Sequence, residues 1–190
     1  MKKTKASGTF GKTLFVLILF VAITFTYVYI SDKIETEKYP LGYENLVNKY
    51  SSEYSVPTEL VYAVIKVESN FNNLAVSPVG AKGLMQMLPD TFSWLNKKNG
   101  ESLSDELLFE PEVSIKYGCF YLSILYDMFG DWTLACAAYN AGQGNVKKWI
   151  ENEELYKNGE LVKIPFKETR NYITKVNKAK DKYTELYFCD

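Results

Sequence analysis

Apolar and polar positions divide this chain into one long uncharged run followed by shorter segments of helical spacing. Residues 14–30, LFVLILFVAITFTYVYI, carry no charge. As a helix rising about 1.5 Å per residue they would reach roughly 26 Å, close to the thickness of a bilayer core. Beyond residue 42 the spacing becomes that of packed helices. Leu46, Val47 and Tyr50 predict a short helix over 43–54. A second starts near Pro57, with Ser55 as its expected cap, and places Leu60, Val61, Ala63, Val64, Ile65 and Val67 on a broad apolar arc. Glu59, Tyr62 and Lys66 fall on its opposite side. Residues 70–83 read as loop, punctuated by Ser77-Pro78, Gly80 and Gly83. Pro89-Asp90-Thr91 opens a helix carrying Phe92 and Leu95, and 97–110 is polar and turn-like. Pro111 starts the longest helix, to about Phe129, with a stripe of Val113, Tyr117, Phe120, Ile124 and Met128 and a stop at Gly130. A small-residue helix over 132–140, one around 146–150 and a last one after Pro165 carrying Tyr172, Ile173 and Val176 complete the pattern. Asn158-Gly159 between Leu155-Tyr156 and Leu161-Val162 is the signature of a small hairpin. The fold class expected is mainly α, with at most that β-hairpin, preceded by one transmembrane helix.

One position breaks the pattern. Stepping about 100° per residue from Leu60, Glu68 lands between Val64 and Val61, in the middle of the apolar arc. A carboxylate facing a core needs a reason. An apolar surround disfavours the anion, and so does the partial negative charge at a helix C-terminus. Both raise the pKa, and an acid kept protonated near neutral pH is what general-acid cleavage of a glycosidic bond requires. Taken alone, the helix suits a Glu that snorkels or pairs with a lysine better; the motifs that follow reverse the balance.

Charge and composition change the picture by exclusion. Six lysines stand against three acids in residues 1–39, which leaves the rest of the chain at net −4 within a total of −1. A mildly acidic globular part offers no footprint for nucleic acid. The chain has no histidine, so Ser-His-Asp and Cys-His mechanisms and histidine-ligated metal sites are out. Cys119, Cys136 and Cys189 have no metal-ligand spacing, and neither a metal nor a cofactor is expected. Cys119 and Cys136 sit in apolar helical runs and read as buried free thiols, with one disulfide as the alternative. Four lysines precede the apolar run and SDKIETE follows it, which by the positive-inside tendency puts the N-terminus in the cytoplasm and everything after about residue 31 outside. The absence of a small-x-small site after Tyr27, Tyr29 and Ile30 favours an uncleaved anchor over a signal peptide. The divisions expected are a basic cytoplasmic tail 1–13, a transmembrane helix 14–30, a tether 31–42 ending in Pro-Leu-Gly, and a domain 43–190.

Three further clusters carry chemistry. Gly83-Leu84-Met85-Gln86 places an amide after a close-approach turn. Ala138-Tyr139-Asn140 puts a phenol and an amide at a helix end. Glu168-Thr169-Arg170-Asn171-Tyr172 puts a second phenol early in the last helix. Each alone is weak, since such a Gln is usually surface and such a Tyr usually core. With Glu68-Ser69 and Ser77-Pro78-Val79-Gly80-Ala81 ahead of them, in this order and spacing, they resemble the catalytic domain of lytic transglycosylases of the soluble-lytic-transglycosylase (SLT) type, in the lysozyme-like superfamily near goose-type lysozyme. The resemblance runs from about Tyr50 to Val176.

The resemblance implies a lysozyme-like helical domain and an enzyme, a carbon–oxygen lyase acting on peptidoglycan glycan strands. It would cut the β-1,4 bond between N-acetylmuramic acid and N-acetylglucosamine and leave a 1,6-anhydromuramic end. Glu68 would be the acid and then the base, with Ser69 orienting it or the N-acetyl group. Gln86, Asn140, Ser77 and Met85 would line the groove, Tyr139 and Tyr172 would lie beside Glu68, and Glu168 would reach the substrate. The residues agree in one respect. Glycosidases of the usual kind need two carboxylates, and the nearest other acids, Asp90 and Asp131, read as helix N-caps or first-turn acids. The rivals are a hydrolytic muramidase on the same fold, a non-enzymatic wall-binding or assembly protein, and an anchored scaffold. The anchor adds a membrane as partner and suggests action beside an envelope-spanning protein complex, on the periplasmic or cell-wall side.

Overall fold

The computed structural model describes residues 7–189 and separates into two compact units, residues 1–40 and 41–190. In the first, helix α1 runs Ser7–Lys38. Its stretch Gly11–Lys38 is long and apolar enough to cross a membrane, and none of that window is buried inside the protein. Thr24 and Thr26 donate their hydroxyls to the carbonyls of Val21 and Ala22, each at 2.8 Å, which hides their polarity within the helix. The helix continues through residues expected as tether. SDKIETEK contains good helix formers and no Gly or Pro before Pro40, so nothing stops it earlier.

The second unit is helical: α2 (Glu44–Glu53), α3 (Thr58–Glu68), α4 (Pro89–Lys98), a 3-10 turn (Asp105–Phe109), α5 (Pro111–Phe129), α6 (Trp132–Ala141), α7 (Gln143–Ile150) and α8 (Lys167–Tyr183), which widens into a π turn over Thr184–Phe188. Strands β1 (Tyr156–Lys157) and β2 (Glu160–Leu161) pair antiparallel, Tyr156 opposite Leu161. Asn158 and Gly159 both take positive φ, the geometry of a two-residue I′ turn. α3 packs on α8, α5 on α6 and α2, and α6 on α7 and α8, so α3, α5, α6 and α8 enclose the core.

Several local expectations hold and several shift. α5 has the expected bounds, with Gly130 left-handed at its end and donating to Tyr126 O at 2.7 Å. Asp131 caps α6 by accepting from Leu134 N at 2.8 Å. Ser55 does not cap α3: it sits at φ 54, and Pro57 holds the cap position without a side-chain bond. Tyr62, expected outside, is buried because α8 crosses that side and sets Tyr183 at 5.2 Å between ring centroids. Of the expected α5 stripe Tyr117 is buried, but the rest of the buried face turns to Ile115, Gly118, Tyr121, Leu122 and Leu125, leaving Met128 exposed. α7 starts at Gln143, because the single residue Gly142, at φ 84 and ψ 139, is enough to break the helix. All three cysteines are free; Cys119 and Cys136 are buried and Cys189 is exposed.

The loop between α3 and α4 is held down at both its glycine turn and its polar side chains. Lys82 pairs with Met87 in both directions, and Gly83 N donates to Ala75 O at 3.0 Å. Lys82 reaches Asp105 at 2.9 Å and Glu106 at 2.6 Å, and Asn73 donates to Phe109 O at 3.0 Å. Gly83 is the tightest point: a Cβ there would stand 1.9 Å from the Leu108 carbonyl oxygen, at φ +77. Gly83→Ala should therefore cost more than about 2 kcal/mol, from left-handed strain plus displacement of the 3-10 turn. Urea unfolding of residues 41–190 measures this; a loss below about 0.5 kcal/mol, the range of neutral surface changes, would contradict it.

Candidate active site

Glu68 is the last residue of α3, and the chain turns away from it at once. Ser69 closes the helix, and Asn70 and Phe71 both take positive φ. The carboxyl is thereby left at a helix C-terminus, facing a cleft of about 350 Å³. Ser77, Gln86, Tyr139, Asn140 and Glu168 also line this cleft. They come from the α3–α4 loop, the end of α6 and the start of α8, elements far apart in sequence that the helix packing brings together.

Burial is the main influence on Glu68 and pushes its carboxyl pKa up to about 7; the negative charge of Glu168 adds to this, and the Tyr172 phenol pulls the other way. The Tyr172 hydroxyl is buried and makes no close hydrogen bond among the described residues, yet it lies near enough to the carboxyl to favour its anion by donating toward it. Burial and the Glu68 charge hold the Tyr139 and Tyr172 phenols well above their ordinary range, in that order of importance. Both stay neutral.

The amides are oriented by what holds their inner ends. Gln86, at φ 47, donates Nε2 to Ala75 O at 3.0 Å and to Gly83 O at 2.9 Å. With both amide hydrogens committed, it has only its carbonyl oxygen to offer. Asn140 accepts from Thr169 Oγ1 at 2.8 Å through Oδ1, which leaves its Nδ2 end as donor. Tyr139 donates its hydroxyl to Met85 O at 2.7 Å. The Ser77 hydroxyl accepts from Ala81 N at 3.0 Å and shapes the rim.

Two expected site residues, Met85 and Ser69, lie elsewhere. Met85 does not line the cleft; its side chain is wholly buried, packed so closely on α5 that a Cβ on Gly118 would meet its sulfur at 2.0 Å. Its contribution is the backbone carbonyl that accepts the hydrogen bond of the Tyr139 hydroxyl. Ser69 turns its hydroxyl back onto Ile65 O at 3.2 Å, as a helix-end serine commonly does. Tyr172 lies behind the cleft wall beside Glu68, not on its surface. Among the cleft residues not anticipated are Met87, Leu88, Tyr121 and Thr91. Tyr121 lies on the buried face of α5, its ring 5.3 Å from that of Tyr139, and Thr91 stands in the first turn of α4. The rotated α5 stripe, with Gly118 and Leu125 around Tyr121, was the available sign. Asp90 and Asp131 stay off the cleft, and its second carboxylate is Glu168, on the exposed N-terminal turn of α8. Among the described residues no group of three His, Cys, Asp or Glu side chains could hold a metal ion.

A helical domain with a partly buried acid at the end of α3, facing a cleft lined mostly by uncharged groups, is of the lysozyme-like class. The known proteins it resembles narrow this further. Residues 45–161 match the model of the Transglycosylase SLT domain family, and the chain belongs to that family. A soluble lytic murein transglycosylase of Escherichia coli strain K12 is 37% identical over 160 residues, covering 81% of this chain and 24% of that protein. A membrane-bound lytic murein transglycosylase C of Haemophilus ducreyi is 30% identical over 190 residues, covering 86% of this chain and 51% of that protein. The crystal structure of the 70 kDa soluble lytic transglycosylase of Escherichia coli superimposes with a TM-score of 0.74 at 33% identity, over 82% of this chain and 26% of that one. The chain thus spans from about a quarter to about half the length of these relatives.

The Glu68 shift has a consequence for stability. Its pKa of about 7 stands above the ordinary 4.5, so between these values the native state keeps a proton that the unfolded chain has released. Stability then falls as pH rises from 4.5 to 7, by a total on the order of 3 kcal/mol. Glu68→Gln removes the dependence: the variant should match the parent near pH 4 and exceed it in unfolding free energy by roughly 2–3 kcal/mol at pH 8. Urea titrations at the two pH values check this, and an equal difference at both would contradict it.

Proposed function

We propose that this chain is a membrane-anchored peptidoglycan lytic transglycosylase. The observation that carries the reading is Glu68, a largely buried carboxyl with its pKa near 7, at the end of a helix and facing a cleft walled by neutral donors and acceptors. The lytic murein transglycosylase names of the relatives support the substrate class.

In this reading a glycan strand lies along the cleft with the bond between N-acetylmuramic acid and N-acetylglucosamine at Glu68. The neutral Glu68 gives its proton to the bridging oxygen, and the bond from that oxygen to the muramic C1 breaks. The carboxylate now formed takes the proton of the same sugar's 6-hydroxyl, whose oxygen closes on C1. The product is a 1,6-anhydro ring, no water is consumed, and Glu68 ends protonated as it began. A group that must be acid and then base in one cycle works best with a pKa near the working pH. The anion lasts only between the two transfers, and in this reading the buried Tyr172 hydroxyl donates to it then. Gln86 and Asn140, one offering an acceptor and the other a donor, suit the hydroxyl and acetamido groups of the strand.

Residues 14–30 serve as an uncleaved anchor, with the basic N-terminal tail in the cytoplasm and the domain on the periplasmic or wall side. An apolar helix with none of its window buried inside the protein supports this, as does the membrane-bound relative's name. Anchoring confines the enzyme to the wall layer nearest the membrane and suits work beside an envelope-spanning protein complex.

Glu168 supports a second reading, a hydrolytic muramidase in which that carboxylate activates water. The two readings differ in product. Mass spectrometry of muropeptides released from purified peptidoglycan should find anhydro ends; reducing ends would instead favour hydrolysis. Glu68→Gln keeps the shape and removes the acid, and should lower release at least about 100-fold. Release by that variant at near-native rate would rule out Glu68 as the proton donor.

A further inference from the structure

Thr169 is a buried polar residue in the first turn of α8, only 1% exposed, directly after the cleft residue Glu168. Its hydroxyl does not cap the helix; it crosses to α6 and donates to Asn140 Oδ1 at 2.8 Å. A buried hydroxyl spent on a cleft amide is costly to leave unpaired and inert without that partner. Asn140 stands one residue before the last of α6, where the chain breaks at Gly142. Among the described residues no other group holds its Oδ1. An asparagine amide can turn over and present either its oxygen or its amino group. A threonine hydroxyl can donate or accept, but among the described residues this one has no other acceptor for its hydrogen, so turning the amide over would leave that buried hydrogen unpaired.

We infer that Thr169 is a positioning residue for the proposed glycan cleavage: it fixes Asn140 so that the amino end, not the oxygen, faces the bound strand. The inference rests on the glycan-cleaving reading above. Gln86 is fixed by backbone carbonyls with its oxygen outward, and Asn140 is fixed by a side chain with its amino group outward. The cleft thereby presents one acceptor and one donor in set places, where two free amides would present a mixture. The lock at Gln86 is backbone and cannot be deleted by substitution. The lock at Asn140 can.

The test is a double-substitution cycle on the full chain in detergent, every form carrying Glu68→Gln so that nothing is turned over. The probe is chitotetraose, a β-1,4-linked N-acetylglucosamine tetramer, titrated calorimetrically. Thr169→Val keeps the shape without the donor and should weaken binding about 3- to 10-fold, the range of one hydrogen bond. Thr169→Ser restores the donor and should recover binding to within about 2-fold. In an Asn140→Ala background, Thr169→Val should change binding by less than about 2-fold, because the group it acts through is gone. Equal weakening by Thr169→Val in both backgrounds, or no recovery with Ser, would overturn the positioning role and leave the glycan reading standing. If the form carrying Glu68→Gln alone binds no chitotetraose and unaltered chain releases no muropeptides, the glycan reading falls and this one with it. Should Thr169→Val fail to fold, Thr169→Ser and Thr169→Ala carry the same comparison, Ala being expected to weaken binding as Val would.

Discussion

The site depends on keeping one carboxyl away from water at the end of a helix. Glu68 occupies the terminus of α3, where the helix dipole already disfavours an anion. α3 is the most enclosed helix of the domain: every residue from Leu60 to Ile65 is buried. The chain cannot then splay Glu68 outward without pulling that core apart. The fold therefore sustains a charge-disfavouring position with packing energy gained elsewhere, and the raised pKa is the visible result.

Around that carboxyl the chain places groups that bind without charge. Tyr139 is committed to Met85 O, Gln86 to two loop carbonyls and Asn140 to Thr169. Each bond ties a cleft group to a neighbouring element, so cleft and core are parts of one packing problem. Gly83 and Gly118 make this possible by letting the α3–α4 loop sit against Leu108 and Met85 sink into α5. Cations would draw the Glu68 pKa down, and the charged pairs Lys82–Asp105, Lys49–Glu112 and Lys116–Glu101 are made by residues that do not line the cleft. The one charged neighbour at the cleft, Glu168, is an anion and pushes the pKa the same way as burial.

Helix periodicity made much of this legible. A 100° step was enough to turn Glu68 inward, and proline and glycine marked the bounds of α5. Periodicity says which side of a helix is apolar but not what covers it. Tyr62 was missed because α8 buries a second face of α3, and the α5 stripe was misplaced because Ser114, Gly118 and Tyr121 are small or polar residues that tertiary packing buries. Motif order grouped Gln86, Tyr139 and Asn140, which do share one cleft, yet it could not tell a side chain from a backbone. Met85 offers its carbonyl to Tyr139, and Thr169 reaches Asn140 from within the core. Motif order did put Glu168 with the substrate and left Asp90 and Asp131 to helix starts, and Glu168 is the acid that lines the cleft beside Glu68.

The most direct measurement is an NMR titration of the Glu68 side-chain carboxyl carbon, its resonance identified by its loss in Glu68→Gln. A midpoint near 7 is the result that follows from the burial of this group. A midpoint at or below the ordinary 4.5 would mean that the carboxyl is already ionised where the enzyme must work, and that it has no proton to give.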